Sequence, residues 1–401
     1  MITLQRRGIV DEYKGYSFAR PSTAYGPDGK LYLPHNARFV PGPFPGSRAL
    51  LVEGGTTNIL SASASQGLSW AGYLGCVLTV TPNQPDPLNG DKGVHLLSSG
   101  GTDTIKAIIL VGMPAKGVKW AGQLWIRNRS SVEITVHTNL GGVAAVVSPH
   151  SEWTPVRWVL TGDGLSEAQI RLMLPTAEDV LDCDVAFLQC EAKPYHTTWH
   201  LGGATRSNES LTIPTAKICT PDNFHLEFFA YIDSMARWQD VPQAALFHFP
   251  RSVVYASNTG IWLYHSHVQA KWVLQVRKDN NASQTTMCSD AYTPDGWHYF
   301  VVDMTPERAS VRIDGIECIA RDNPYLPSGF AANGYLGSYN VSNYFFNGKL
   351  CCWRFSSRAR TDEEILQAYQ SNAPLPVDEW TTLLLPLDGP DSQRSAKCIV
   401  M

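Results

Sequence analysis

Hydrolysing a glycosidic bond requires two carboxylates flanking one scissile bond, roughly 5–5.5 Å apart in retaining enzymes. The sequence offers no Glu-x-Asp-x-x-Glu run that would set such a pair along one strand. Asp179, Asp182 and Asp184 come nearest. Alternation along a strand puts Asp182 and Asp184 on one face, where they read as a solvated strand edge or as a calcium site, because clustered carboxylates suit a hard cation. The sequence demands no cofactor, and calcium at Asp182 and Asp184 is the one candidate. His265-Ser266-His267 places two imidazoles at i and i+2; with no third ligand nearby the pair reads as solvent-facing rather than metal-binding. Cys351-Cys352 with His298 lacks the orienting residue that a thiol nucleophile needs. Phosphate-loop and dinucleotide glycine motifs are missing.

Aromatic side chains remain. Sugars present apolar ring faces that stack on Trp and Tyr, while their hydroxyls bond to amides and carboxylates. In Trp262-Leu263-Tyr264 the two rings share one strand face, opposite Ile261 and Leu263. Trp272, Leu274 and Val276 share a face of the next strand. One of these faces is core; the other is either covered by a second layer or a partner chain, or left as an aromatic surface unusual for a monomer. Tyr335, Tyr339 and Tyr344, in a Gly-, Asn- and Ser-rich loop region, form an alternative contact set, since loops at a sandwich rim carry recognition.

Nine cysteines, odd in number and without a C-x-x-C pair, read as buried thiols. The sharper reading is that some cross-link in an oxidising medium, with Cys351, Cys352 and Cys398 the candidates. On a regular strand Cys351 and Cys352 would point to opposite faces, leaving at most one in the core.

The elements that must position these groups are β-strands. A 401-residue chain with 44% hydrophobic and 17% charged residues, 32 Gly and 26 Pro is long enough for two or three domains rich in turns. A net charge of −4 with scattered basic residues leaves no nucleic-acid footprint, and no apolar run approaches the ~20 residues that span a bilayer. The first fifteen residues lack an apolar stretch of signal-peptide length. Between 61 and 200, eight period-two segments (77–80, 105–111, 122–126, 132–138, 143–147, 156–160, 170–174 and 185–188) are separated by turn residues, the pattern of a sandwich or jelly roll. Ile134 and Val136 point inward, and Trp120, Trp125, Trp153 and Trp158 supply buried area. A polar connector, 205–214, marks a boundary. Beyond it Asp314-Gly315 and Asn347-Gly348 read as two-residue hairpin turns. Thr361-Asp362-Glu363-Glu364 is a capping box opening the one short helix.

Residues 16–60 combine the turn Gly26-Pro27-Asp28-Gly29 with Pro41-Gly42-Pro43-Phe44-Pro45-Gly46, where three prolines remove three backbone donors. Such a stretch reads as an arm laid over another surface. Phe18-Ala19-Arg20-Pro21-Ser22, Tyr25, Gly29, Ala37-Arg38-Phe39, Leu50-Leu51-Val52-Glu53 and Thr57-Asn58-Ile59-Leu60 resemble, in order, the N-terminal module of bacteriophage tail and virion appendage proteins. Residues 185–191 and 195–206 resemble the run that closes a carbohydrate-binding-module-like jelly roll in that family, with Trp199-His200 departing from its usual Ile-Pro. Residues 224–231, 296–302, 311–315, 334–338 and 346–365 resemble, again in order, a laminin-G-like, concanavalin A-like sandwich.

The expectation is an all-β chain in four parts: an arm over 1–60 for virion attachment, a jelly roll over 61–204, a laminin-G-like domain over 215–375 and a strand or tail over 376–401. The resemblance implies a virion protein of tail, collar, baseplate or fibre-like appendage, located in the virion. Its partners would be other virion proteins, further copies of itself and host surface polysaccharide, with no nucleic acid and no membrane insertion. The carbohydrate-contacting residues would be Trp262, Tyr264, Tyr335, Tyr339 and Tyr344. A purely architectural capsid or collar role and a capsule-polysaccharide depolymerase are the two alternatives; lacking acid pairs, the chain reads as non-enzymatic.

Overall fold

The computed structural model describes residues 38–193, 196–215, 218–232, 243–252, 259–266, 268–288, 296–340, 344–371 and 373–385, with the short strands at 17–19, 24–25, 31–32 and 397–398. The described residues are all-β apart from two helices, Ala62–Ser65 and Asp362–Gln370. No helix among the described residues is long and apolar enough to cross a membrane. The chain divides into two compact units, one of residues 1–21, 34–54 and 208–401, the other of residues 22–33 and 55–207.

The unit around 55–207 is a sandwich of two five-stranded antiparallel sheets. One sheet is ordered Thr154–Thr161, Lys119–Asn128, Asp182–Glu191, Gly93–Ser99, Val77–Gln84; the other runs Gly142–Val147, Ile134–Thr138, Ala168–Met173, Ile105–Gly112, Ala71–Gly72. Each expected segment lies in a strand or, for 132–138 and 170–174, overlaps one; Gly93–Ser99 was not anticipated. Ile134 and Val136 are fully buried, with Leu124, Ile126, Ile170 and Leu172 around them. Of the four tryptophans assigned to this core only Trp158 is deeply buried. Its indole lies over Gly122, where a Cβ would stand 2.3 Å from the ring, so the glycine is needed for that close approach.

The other unit stacks a seven-stranded sheet on a larger one. The first is ordered Ser17–Ala19, Ser210–Pro214, Asn333–Leu336, Gln243–Pro250, Thr259–Ser266, Lys271–Arg277, Ser283–Met287. The second is ordered Ile316–Asp322, Arg308–Ile313, Gly296–Met304, Phe224–Ile232, Gly348–Ser356, Thr381–Leu385, Lys397–Cys398. Between them Phe228 stacks on Trp353 at 4.0 Å and on Phe300 at 5.1 Å, both nearly parallel. Phe224 meets Phe247, Phe249 and Phe355 edge-on or tilted. Asp314 and Gly315 both have positive φ and close the hairpin Arg308–Ile313/Ile316–Asp322 as expected. Thr361 and Glu364 complete the capping box reciprocally.

Three expectations change. Residues 16–60 are not a single arm. Arg48–Val52 pairs with Gly348–Leu350 and carries Phe39–Pro41 on its other side, so this hairpin is part of the larger sheet. Arg38 anchors it: Nη2 donates to Glu53 and to Glu209, each at 2.7 Å, with all three side chains buried. Pro43 and Pro45 lie in the turn that joins the two strands, where Phe44 N–H donates to Ser47 Oγ and that hydroxyl donates to Phe44 O. The connector 205–214 is also structured: Thr205–Arg206 pairs with Thr56–Thr57, and Ser210–Pro214 is a strand of the seven-stranded sheet. Finally, Asn347-Gly348 makes no hairpin. Tyr344 and Asn347 have positive φ, and Asn347 Oδ1 accepts the Gly54 N–H, so the pair ends a loop and opens strand Gly348–Ser356.

Behind the larger sheet the buried carboxylate of Glu227 accepts from Arg354 Nε at 2.7 Å, Arg354 Nη2 at 2.9 Å and the Tyr299 hydroxyl, with Arg360 Nε 3.4 Å away. Removing one partner from a buried pair leaves a charge without compensation. Arg354→Met is therefore expected to lower the unfolding free energy by about 3–5 kcal/mol, read from urea denaturation. The double variant Glu227→Gln/Arg354→Met should lose less; equal losses would contradict this account.

Candidate functional site

Strand Thr259–Ser266 alternates strictly. Ile261, Leu263 and His265 face the core, opposite Val276, Leu274 and Trp272 of the neighbouring strand; Trp262 and Tyr264 project from the other face, opposite Gln275 and Val273. Strand Gln243–Pro250 adds Ala245 beside Tyr264 and His248 beside Trp262, and Asn333–Leu336 adds Tyr335 beside His248. After Leu336 the chain turns over this face. Gly337, at φ +72°, donates to Leu246 O; Tyr344 O accepts from Ala245, and Phe346 N closes the loop on Gly337 O.

The loop brings the two aromatic sets together. Trp262 lies 4.1 Å from Tyr264, 4.5 Å from Tyr339 and 5.7 Å from Tyr344, between ring centroids. Tyr339 stacks on His248 at 4.0 Å and 8°, and Tyr335 lies 6.3 Å from the same imidazole. Trp262 and Tyr264 are only 5% exposed, so they are a floor and not an open stacking surface. Among the described residues the cover comes from this chain's own Tyr339 and Tyr344. Tyr335, Tyr339 and Tyr344 are half-buried and form the accessible rim.

The cluster also holds polar atoms without partners. His248 is buried, and its Nδ1–H donates to Tyr339 O at 2.5 Å, which leaves Nε2 as an acceptor. His248 Nε2, Trp262 Nε1 and Ser338 Oγ are buried and make no hydrogen bond. One acceptor, one donor and one hydroxyl thus lie beneath the rim, while the part-exposed tyrosine faces above them suit the C–H face of a ligand. His248, between two tyrosines, is the residue sequence reading missed. Alternation in His248-Phe249-Pro250 gave no signal, because its neighbours across the sheet were unknown.

Asp182 and Asp184 do share a face, with His95 opposite. The expectation of a solvated edge is corrected, since their strand is flanked on both sides. Asp184 is fully buried and accepts from Arg127 Nε and Arg129 Nε, each at 2.8 Å, and from His95 Nδ1 at 3.1 Å. Two guanidinium groups occupy the acceptor positions a calcium ion would use. Asp182 is half-exposed, with His95 at 3.8 Å. Among the described residues no group of three or more His, Cys, Asp or Glu side chains could hold a metal.

The same outward face carries Trp125 and Trp153, which are half-buried beside Phe187 and Trp199 instead of in the core. Arg127 stacks 5.3 Å from the Trp153 ring, next to a shallow groove of about 280 Å³ lined by Arg127, Asn128, Arg129, His150 and Ser151. The alternation Gln123-Leu124-Trp125-Ile126-Arg127 did signal this: Leu124 and Ile126 are core, so Trp125 shares a face with the two polar residues.

His265 is fully buried against Trp272, 5.2 Å away edge-on, and is not solvent-facing; His267 lies outside the described residues. His298 is engaged with Asp314 at 2.7 Å. Cys351 and Cys352 are both buried, contrary to the opposite-face expectation, because the strand bulges there. The Cys398 side chain lies outside the described residues.

Burial lowers the His248 pKa to about 4, below the unfolded value of about 6.5. The folded state thus resists protonation. This contribution to stability is complete above about pH 6.5 and is lost as pH falls towards about 4, a change of roughly 3 kcal/mol. Urea midpoints recorded from neutral to mildly acidic pH should fall more steeply for the native protein than for His248→Phe. Parallel slopes would rule out a neutral buried imidazole.

The sequence profile described as the concanavalin A-like lectin/glucanases superfamily matches residues 205–366. A search of the curated proteins returned no match. Among solved structures, the chain is similar to the botulinum neurotoxin serotype D binding domain, at 12% identity and TM-score 0.32, over 46% of this chain and 53% of that one. It spans, therefore, about half the length of that domain. It is also similar to the heptameric SAP-like pentraxin of Limulus polyphemus, at 10% identity and TM-score 0.32, over 44% and 85% of the two chains. A third is the Ruminococcus gnavus IT-sialidase CBM40, at 13% identity and TM-score 0.30, over 38% and 83%. The matched profile and the two stacked antiparallel sheets agree: this region is a concanavalin A-like sandwich.

Proposed function

We propose that this protein is a non-enzymatic glycan-binding component of a virion, a tail, collar, baseplate or fibre-like appendage that grips host surface polysaccharide. The observation that carries the binding half is the meeting of Tyr335, Tyr339 and Tyr344 over a Trp262/Tyr264 floor that also holds unpartnered His248 and Trp262 ring nitrogens. A pyranose would stack on the part-exposed tyrosine rim, which the buried His248 and Trp262 rings support from beneath. The virion half rests on the ordered motif resemblance over 16–60 and 185–206. Neighbouring virion proteins and further copies of this chain are then its partners. The sequence has no coiled-coil heptads, so contacts between copies would come from the sandwiches.

Two other readings make different demands. A purely architectural subunit would need no sugar site, and a capsule depolymerase would need an acid pair that the sequence does not space along a strand. The full-length protein on a glycan array should bind, and Tyr339→Ala or Tyr344→Ala should weaken binding about tenfold or more, each removing an aromatic contact. Trp262→Ala should abolish it by collapsing the floor. If only Trp153→Ala weakens binding, the recognition surface is the other unit's. If no glycan or host cell is bound, the architectural reading takes over, and release of reducing sugar from host capsule would establish the depolymerase. Particle images with this subunit labelled test its place on the virion.

A further inference from the structure

Strand Gly348–Ser356 changes partner half-way. Its first residues pair with Arg48–Val52 and its last with Thr381–Leu385, and Cys351 and Cys352 occupy the gap between. On the opposite edge the register to Phe224–Ile232 shifts between Glu227 and Phe229, so Cys352 and Trp353 together face Phe228. This is a β-bulge, and Cys352 adopts φ +53° to make it. The bulge cancels the alternation that would separate adjacent side chains. Both sulfurs enter the same buried cluster, with Val40, Phe44, Leu51, Phe229 and Ile365, and stand 3.1 Å apart. Cys351 Sγ also donates to Arg48 O at 3.4 Å. A non-glycine residue held at positive φ is uncommon, and here it is what joins the thiols.

The geometry points to an oxidisable vicinal dithiol: Cys351 and Cys352 close a disulfide with each other when the protein meets a low-molecular-weight disulfide. One thiol loses its proton, and the thiolate attacks the small disulfide and expels one small thiolate. The second cysteine, also deprotonated, then displaces the other. One S–S bond is formed and one broken; two electrons pass from the protein to the reagent, which leaves as two thiols. Adjacent Cα atoms are about 3.8 Å apart across a trans peptide, short of the usual 4.4–6.8 Å span of a disulfide, so the ring is strained and readily reduced. It closes almost no loop and so adds little chain-entropy stabilisation. Its effect is local: it fixes the bulge at the point where the strand changes partner.

The folded full-length protein is incubated with oxidised glutathione, while a second sample is refolded from denaturant in the same buffer. Remaining thiols are alkylated under denaturing conditions before tryptic digestion. Cleavage after Lys349 and Arg354 yields residues 350–354, which carry both sulfurs and no other cysteine. In at least one sample most of this peptide is expected unalkylated and lighter by two hydrogens, becoming doubly alkylated after dithiothreitol. Double alkylation in both samples without reductant, or a cross-link of either sulfur to another cysteine, overturns the assignment. Cys352→Ser provides the control that cannot lose two hydrogens.

Discussion

Strand Gly348–Ser356 must satisfy three neighbours and both layers of its sandwich at once, and a single bulge is how it does so. Before the bulge it takes the Arg48–Val52 hairpin; after it, Thr381–Leu385. Trp353 then faces inward to stack on Phe228, while Arg354 faces outward to neutralise Glu227. A strand alternating regularly from Leu350 would send both of these side chains to the wrong face, because a one-residue shift inverts every side chain beyond it. The loop that ends in this strand carries Tyr339 and Tyr344 and is tied at Gly337 and Ala245. Core and hairpin therefore share one backbone irregularity, and the aromatic loop leads into the same strand.

Both units handle charge and aromatic area in the same manner. Three of the deeply buried carboxylates, Glu227, Glu209 and Asp184, accept from guanidinium groups, which accords with the high cost of an unpaired buried charge. Such clusters fix geometry and leave no acceptor for a cation. Aromatic rings beyond the cores behave differently: the rim tyrosines and the pair Trp125 and Trp153 keep part of their surface in water. Rings have few rotatable bonds, so holding them in place loses little entropy. That combination suits surfaces that grip.

Much of this was legible residue by residue. Period-two alternation located eight of the ten strands in the two five-stranded sheets of the 55–207 unit. Asp314-Gly315 fixed a hairpin through two positive-φ positions, and Thr361 with Glu364 announced the helix; each signal is local and each held. The aromatic sets were legible as candidates, though not their union. Alternation placed Trp262 and Tyr264 on a common face, but their cover arrives some 75–80 residues later in the chain. Cys351 and Cys352 were misplaced for the same reason. A bulge is decided by the partner strand's register, and nothing in Leu350-Cys351-Cys352-Trp353 announces it.

The amino-acid order by itself determined an all-β chain, its turn chemistry, its helix cap and which residues could stack on a sugar, because all of these depend on neighbours within a few positions. Only the tertiary structure decided that the strand after the proline-rich turn, Arg48–Val52, joins a sheet with partners about three hundred residues away. It also decided that Asp184 belongs to two arginines and that three of the five predicted rings meet at His248 while the other two join through Trp262. Those outcomes depend on pairings between distant segments, and such pairings exist only once both segments have bought their place in a common core.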